Sequence, residues 1–63
     1  MTSMDDHLRA YNDGRADGGA GRRVEARADD PRTGADYRMG FLDGRIEVFQ
    51  MLAQARRFLD DGR

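Results

Sequence analysis

The chain predicts an all-α fold: a two-helix hairpin with a helix at about residues 4–18, a loop at about 19–33 and a helix at about 34–60. Three observations predict it. Tyr11-x-x-Gly14-x-x-x-Gly18 recurs as Tyr37-x-x-Gly40-x-x-x-Gly44, and offsets of three, four and seven keep each set on one helical face. Apolar residues of the second half recur at alternating spacings of four and three, as in a heptad seam. Between the halves stands Asp29-Asp30-Pro31-Arg32, where proline disfavours helix at the preceding residue and lacks a backbone donor.

The first helix starts at Ser3, a good N-cap, with Asp5 and Asp6 in the opening turn where carboxylates complement the helix dipole. Met4, Leu8, Tyr11, Gly14 and Gly18 then form its apolar line, with Ala10 and Ala16 beside it. Gly18-Gly19-Ala20-Gly21 ends or bends the helix, with a glycine as its C-terminal cap. Arg22 to Ala28 is compatible with a further turn or two, but Val24 is its only large apolar residue, so loop and helix stay open there.

The second helix starts after Pro31, where Thr33 and Asp36 resemble a capping box with Asp in place of Glu. Its seam runs through Tyr37, Phe41, Gly44, Val48, Met51, Ala55 and Phe58. A second apolar line lies alongside, through Leu42, Ile46, Phe49, Leu52 and Leu59. This stripe is wider than the first helix can cover, which leaves Ile46, Phe49, Leu52, Phe58 and Leu59 for a partner. Asp60-Asp61-Gly62-Arg63 reads as a frayed finish and holds the third Asp-Gly-Arg, after those at Asp13 and Asp43.

A glycine inside a helix costs roughly 1 kcal/mol relative to alanine, so four at matched places mark a close approach to the backbone. Tyr11, Gly14, Gly18, Tyr37, Gly40, Phe41 and Gly44 are therefore read as helix-packing residues, glycine meeting glycine at the crossing. The competing reading is a groove that admits a partner's backbone or a phosphate.

Composition narrows the function. A chain of 63 residues forms one small domain, spanning residues 1–63, and at about 60 residues only about 60% of the unfolded surface is hidden. Without cysteine there is no disulfide, thiolate metal site or cysteine nucleophile, so oligomerisation is the expected aid to stability, here a homodimeric helical bundle. The lone His7 has no ligand cluster around it, so neither a metal nor another cofactor is expected. No nucleophile has a base partner and two helices offer little concave volume, so neither catalysis nor a small-molecule substrate is expected. No apolar run approaches the ~18 residues of a membrane span, and Met1 to Asp6 lacks the regions of a signal peptide. The expectation is a soluble cytoplasmic protein with no membrane partner.

Every basic residue is arginine, 11 against 12 acids, and a net charge of -1 gives no general attraction to nucleic acid. Binding of RNA would need a local patch. Arg22, Arg23, Arg27 and Arg32 form the densest one, suited to bidentate phosphate contacts, although Glu25, Asp29 and Asp30 sit among them.

Ala10-Tyr11-x-x-Gly14-x-x-x-Gly18, a loop with Pro31, and Tyr37-x-x-Gly40-Phe41-x-Asp43-Gly44 together resemble the ribosome modulation factor family over residues 10–45. The resemblance implies two helices joined by a linker, with Tyr11, Gly14, Tyr37, Gly40, Phe41 and Asp43 at signature positions. It also implies binding to the small ribosomal subunit near the messenger exit region, where the family promotes inactive ribosome dimers in stationary phase. The chain departs from the family in its slightly acidic charge and its longer, more apolar stretch from Ile46 to Leu59.

Two functions are thus expected. One is a non-enzymatic ribosome- or RNA-associated modulator of translation that binds through the arginine loop. The alternative is a small protein-interaction module, an adaptor or inhibitor of bacterial or phage type, that binds a protein through the apolar face of the second helix.

Overall fold

The computed structural model describes residues 2–61 as three helices, α1 (Met4–Ala20), α2 (Glu25–Ala28) and α3 (Gly34–Asp61). Gly62 and Arg63, part of the expected frayed finish and of the third Asp-Gly-Arg, lie outside the described residues. The all-helical expectation holds, and α2 adds one turn inside the expected loop.

Helix α1 is capped at both ends by its own sequence. The Ser3 hydroxyl accepts from the Asp6 N–H and the Asp6 carboxylate accepts from the Ser3 N–H, each at 3.2 Å, a reciprocal capping box. Its far end lies at Ala20, two residues beyond the expected stop, because the chain turns at Gly21. Gly21 has φ +69°, the left-handed conformation that glycine adopts without penalty. The Gly21 and Arg22 N–H groups then satisfy the Gly18 and Asp17 carbonyls at 3.1 and 2.8 Å.

The start of α3 departs from expectation. Asp30, not Thr33, organises it, accepting from the Arg32 and Thr33 N–H groups at 2.8 and 3.1 Å. Those two hydrogen bonds, Arg32 first, pull the Asp30 pKa below its ordinary value. Asp36, expected to close a capping box with Thr33, meets Nδ1 of His7 on α1 at 2.5 Å.

The two long helices lie packed face to face, and their register shows that they run in the same direction, where a short-loop hairpin would make them antiparallel. His7 pairs with Asp36, Tyr11 with Asp43, Arg15 with Glu47, and Gly19 faces Val48, so residue numbers rise together along both helices. Residues 21–33 therefore cross back along the pair. A 17-residue helix is about 25 Å long at 1.5 Å per residue, and 13 linker residues at up to ~3.3 Å each suffice for the return. The crossing is traced by Val24 beside Tyr37 and Asp17, Arg27 beside Asp13, and Ala28 beside Gly34.

Glycines make the contact possible. A Cβ on Gly14 or Gly18 would strike the backbone carbonyl of Tyr37 or Phe41, and one on Gly40 or Gly44 would strike that of Tyr11 or Arg15. Each helix thus presses its backbone into the other's glycine face. The fully buried apolar set is correspondingly small, Ala10, Ala28 and Tyr37. Met4 and Leu8, expected on the packed face of the first helix, are exposed, because Ala10, Gly14 and Gly18 hold that face instead.

Candidate interaction surfaces

Two tyrosines hold the parallel pair in matching ways. Tyr37 on α3 is fully buried and donates its hydroxyl hydrogen to Asp17 on α1 at 2.6 Å, while accepting from the Val24 N–H at 3.0 Å. Tyr11 on α1 donates to Asp43 on α3 at 2.5 Å. The exchange obeys the repeat, since Tyr11 to Tyr37 and Asp17 to Asp43 are both steps of 26 residues. Each motif is therefore Tyr-x-x-Gly-x-x-Asp-Gly, and the aspartates are partners that the sequence reading overlooked. Their common offset was the available signal. Burial first, then the Asp17 hydrogen bond, raises the Tyr37 pKa above its ordinary value of 10.0. At Tyr11 the Asp43 hydrogen bond is the main cause of a shift in the same direction.

The arginines of the linker do not form one free patch. Arg23 pairs with Glu25 at 3.0 Å and lies 6.0 Å from the centre of the Phe41 ring. Arg27 pairs with Asp13 at 2.9 Å and covers Tyr37 at 5.4 Å. Much of their charge is thus used to roof the aromatic pair Tyr37 and Phe41, whose centroids are 6.5 Å apart. Arg22 is exposed just after the α1 cap, whereas Arg32 lies towards the opposite end of the linker. There Arg9, Arg27 and Arg32, with Asp6, Asp30 and Thr33, line an open cleft of about 410 Å³.

The predicted apolar interface residues divide between two surfaces. Past Val48, α1 has ended and the face of α3 that it covered continues bare. Met51, Leu52, Phe58 and Leu59 stand on this tail, the last two 77% and 71% exposed. Ile46 and Phe49 instead join Met39 and Leu42 on the side of α3 away from α1. Between the surfaces, Arg45 reaches the Gly18 carbonyl at 3.3 Å and lies over the Phe49 ring at 4.9 Å. At the other edge, Arg15 clasps Glu47 through two hydrogen bonds of 2.6 and 2.5 Å.

His7 is engaged with Asp36, and no group of three or more metal-ligating side chains comes together among the described residues. No helix among them is long and apolar enough to cross a membrane. The geometry defines a class: a small all-helical chain that builds a closely packed parallel pair from a glycine repeat and extends one helix beyond it. No protein-family model matches the chain, and neither a curated protein nor a solved structure matches it.

Proposed function

We propose that the chain is a non-enzymatic, cytoplasmic protein-interaction module whose projecting α3 tail docks on a protein partner, with self-association through its remaining apolar surface. The tail carries the reading. All residues from 49 to 61 are exposed, although Met51, Leu52, Ala55, Phe58 and Leu59 extend the very face that α1 covers further back. A bare helix of some 13 residues is marginal in water, so a partner groove that takes its apolar face would supply both stability and specificity. Gln50, Gln54, Arg57 and Asp61 occupy the opposite side and keep the free tail hydrated.

Affinity capture from nuclease-treated native lysate tests the reading. A protein retained by the wild type and lost with Phe58→Asp or Leu59→Asp supports it. Equal capture by wild type and both variants would sink it.

A second reading, a ribosome- or RNA-associated modulator like the family that residues 10–45 resemble, is favoured by the cleft where Arg9, Arg27 and Arg32 converge. The Arg9 and Arg32 guanidinium groups would grip a phosphate there, beside Arg27, which Asp13 already engages, and against the opposing charges of Asp6 and Asp30. Its mark is co-sedimentation with ribosomal particles that falls with salt and with Arg32→Glu. Binding indifferent to both counts against it.

A further inference from the structure

The outward face of α3 carries a seam that neither α1 nor the linker uses. Ala35, Met39, Leu42, Ile46, Phe49 and Ala53 follow one another at spacings of four, three, four, three and four. A helix whose apolar residues recur every 3.5 residues presents them as a straight line to a partner helix. The four large ones are each 51% to 63% exposed, while α1 packs against Gly40 and Gly44 on the other side of α3. The seam is about 27 Å long at 1.5 Å per residue and ends at the charged Arg56.

We infer that this seam is a parallel two-stranded interface between two copies of the chain, α3 against α3. The inference deepens the self-association part of the proposed function and is independent of the partner of the tail.

The order of residues along the seam points to two strands. With Met39, Ile46 and Ala53 at the first core position and Leu42 and Phe49 at the second, Ile46 and Leu42 occupy the places that β-branched and leucine side chains favour in parallel dimers.

Charge then selects the direction. Arg38 and Arg45 flank the seam on one side, and Asp43 and Gln50 on the other. In a parallel pair each residue of the arginine flank faces the opposite flank five residues further on, so Arg38 meets Asp43 of the second copy, and the two-fold axis repeats the contact. In the antiparallel pair that stacks Leu42 on Ile46 and Met39 on Phe49, Asp43 faces Asp43 and Arg45 faces Arg45. Like charges then oppose on both flanks, and that arrangement is disfavoured.

Both groups retain capacity for the contact. Arg38 spends one guanidinium nitrogen on the Ala28 carbonyl, and Asp43 spends one carboxylate oxygen on Tyr11. A guanidinium carries five donors and a carboxylate two oxygens, so each group has hydrogen-bonding capacity left for a second copy.

The chain has no cysteine, so single introduced cysteines report the geometry cleanly. Light scattering should give twice the monomer mass, reduced to the monomer by Ile46→Asp and unchanged by Phe58→Asp. Under mild oxidation Leu42→Cys should link to itself, as should Ile46→Cys in a separate sample, because like positions meet in a parallel pair. Circular dichroism of each variant confirms that the helices persist, since all three sites are exposed.

A monomeric wild type overturns the inference. So does a dimer that survives Ile46→Asp but falls with Phe58→Asp, which assigns association to the tail. Cross-linking only between Leu42→Cys and Ile46→Cys chains overturns the parallel direction. Protein captured by the tail and still bound by Ile46→Asp would leave the proposed function standing if this seam failed.

Discussion

Tyr37 on α3 donates its hydroxyl hydrogen to Asp17 on α1 at 2.6 Å, and Tyr11 on α1, 26 residues before Tyr37, returns the same bond to Asp43 on α3, 26 residues after Asp17. The pair of helices is thus related by a pseudo-two-fold axis lying along them. The tyrosine–aspartate bond made by one motif is answered by its copy, and the glycines obey the same rule. Gly14 takes the Tyr37 carbonyl, and Gly40 takes that of Tyr11.

Glycine substitutions separate close approach from propensity. Alanine in a helix gains roughly 1 kcal/mol over glycine, whereas overpacking costs typically about 1–3 kcal/mol. At Gly40 the obstacle is the Tyr11 backbone, which cannot rotate away, so the clash wins. Gly40→Ala and Gly14→Ala should lower the melting temperature. At Gly19 the nearest obstacle is Cγ2 of Val48 at 4.0 Å, an ordinary contact. Gly19→Ala should raise it, and a rise at all three sites would refute the crossing geometry.

Tyr37→Phe keeps the ring and removes the hydroxyl. The Val24 N–H and the Asp17 carboxylate then lose their partner in a part-buried setting, at a cost of about 1–3 kcal/mol measured by urea unfolding. Tyr11→Phe, at a half-buried edge, should cost less. A larger loss at Tyr11 than at Tyr37 would contradict the assignment of Tyr37 as the central pin.

Stability should fall at both pH extremes, for opposite reasons. Tyr37 and Tyr11 have folded pKa values raised above 10.0, so the native state holds protons that the unfolded chain releases. Their contribution is complete below about pH 10 and is lost as pH climbs through the raised values. Glu47 is shifted below its ordinary 4.5, first by the Arg15 hydrogen bond, and Asp30 below 3.8 by the N–H groups of Arg32 and Thr33. Their contribution is complete above those ordinary values and disappears as pH falls through the lowered ones. Thermal melts from pH 3 to 11 should show a plateau between, and Tyr37→Phe should flatten the alkaline limb.

Removal of residues 50–61 tests whether the tail supports the body. None of them is buried, so the truncated chain should keep the unfolding midpoint of the α1 and α3 pair while losing the helical signal of the tail. A large fall in the midpoint would show that the tail also holds the pair together.

The sequence by itself determined the two long helices and the tyrosine-glycine faces on which they meet. Ser3, Gly21 and Pro31 punctuate the chain through backbone chemistry that acts locally, and Tyr-x-x-Gly-x-x-x-Gly marks a face wherever the chain is helical. The surplus of apolar residues in the second helix was equally legible, because 3.6-residue periodicity is a property of the helix alone. Tertiary structure decided the rest. A heptad spacing reads the same whether a partner runs parallel or antiparallel, and only the return of residues 21–33 along the pair made it parallel. That crossing carried Arg23 and Arg27 over Phe41 and Tyr37, so a patch that looked free in sequence became a roof on the core. Where α1 ends, at the level of Val48, likewise split one broad stripe into a tail and an outer seam, because which apolar side chains stay bare depends on how far the partner helix reaches.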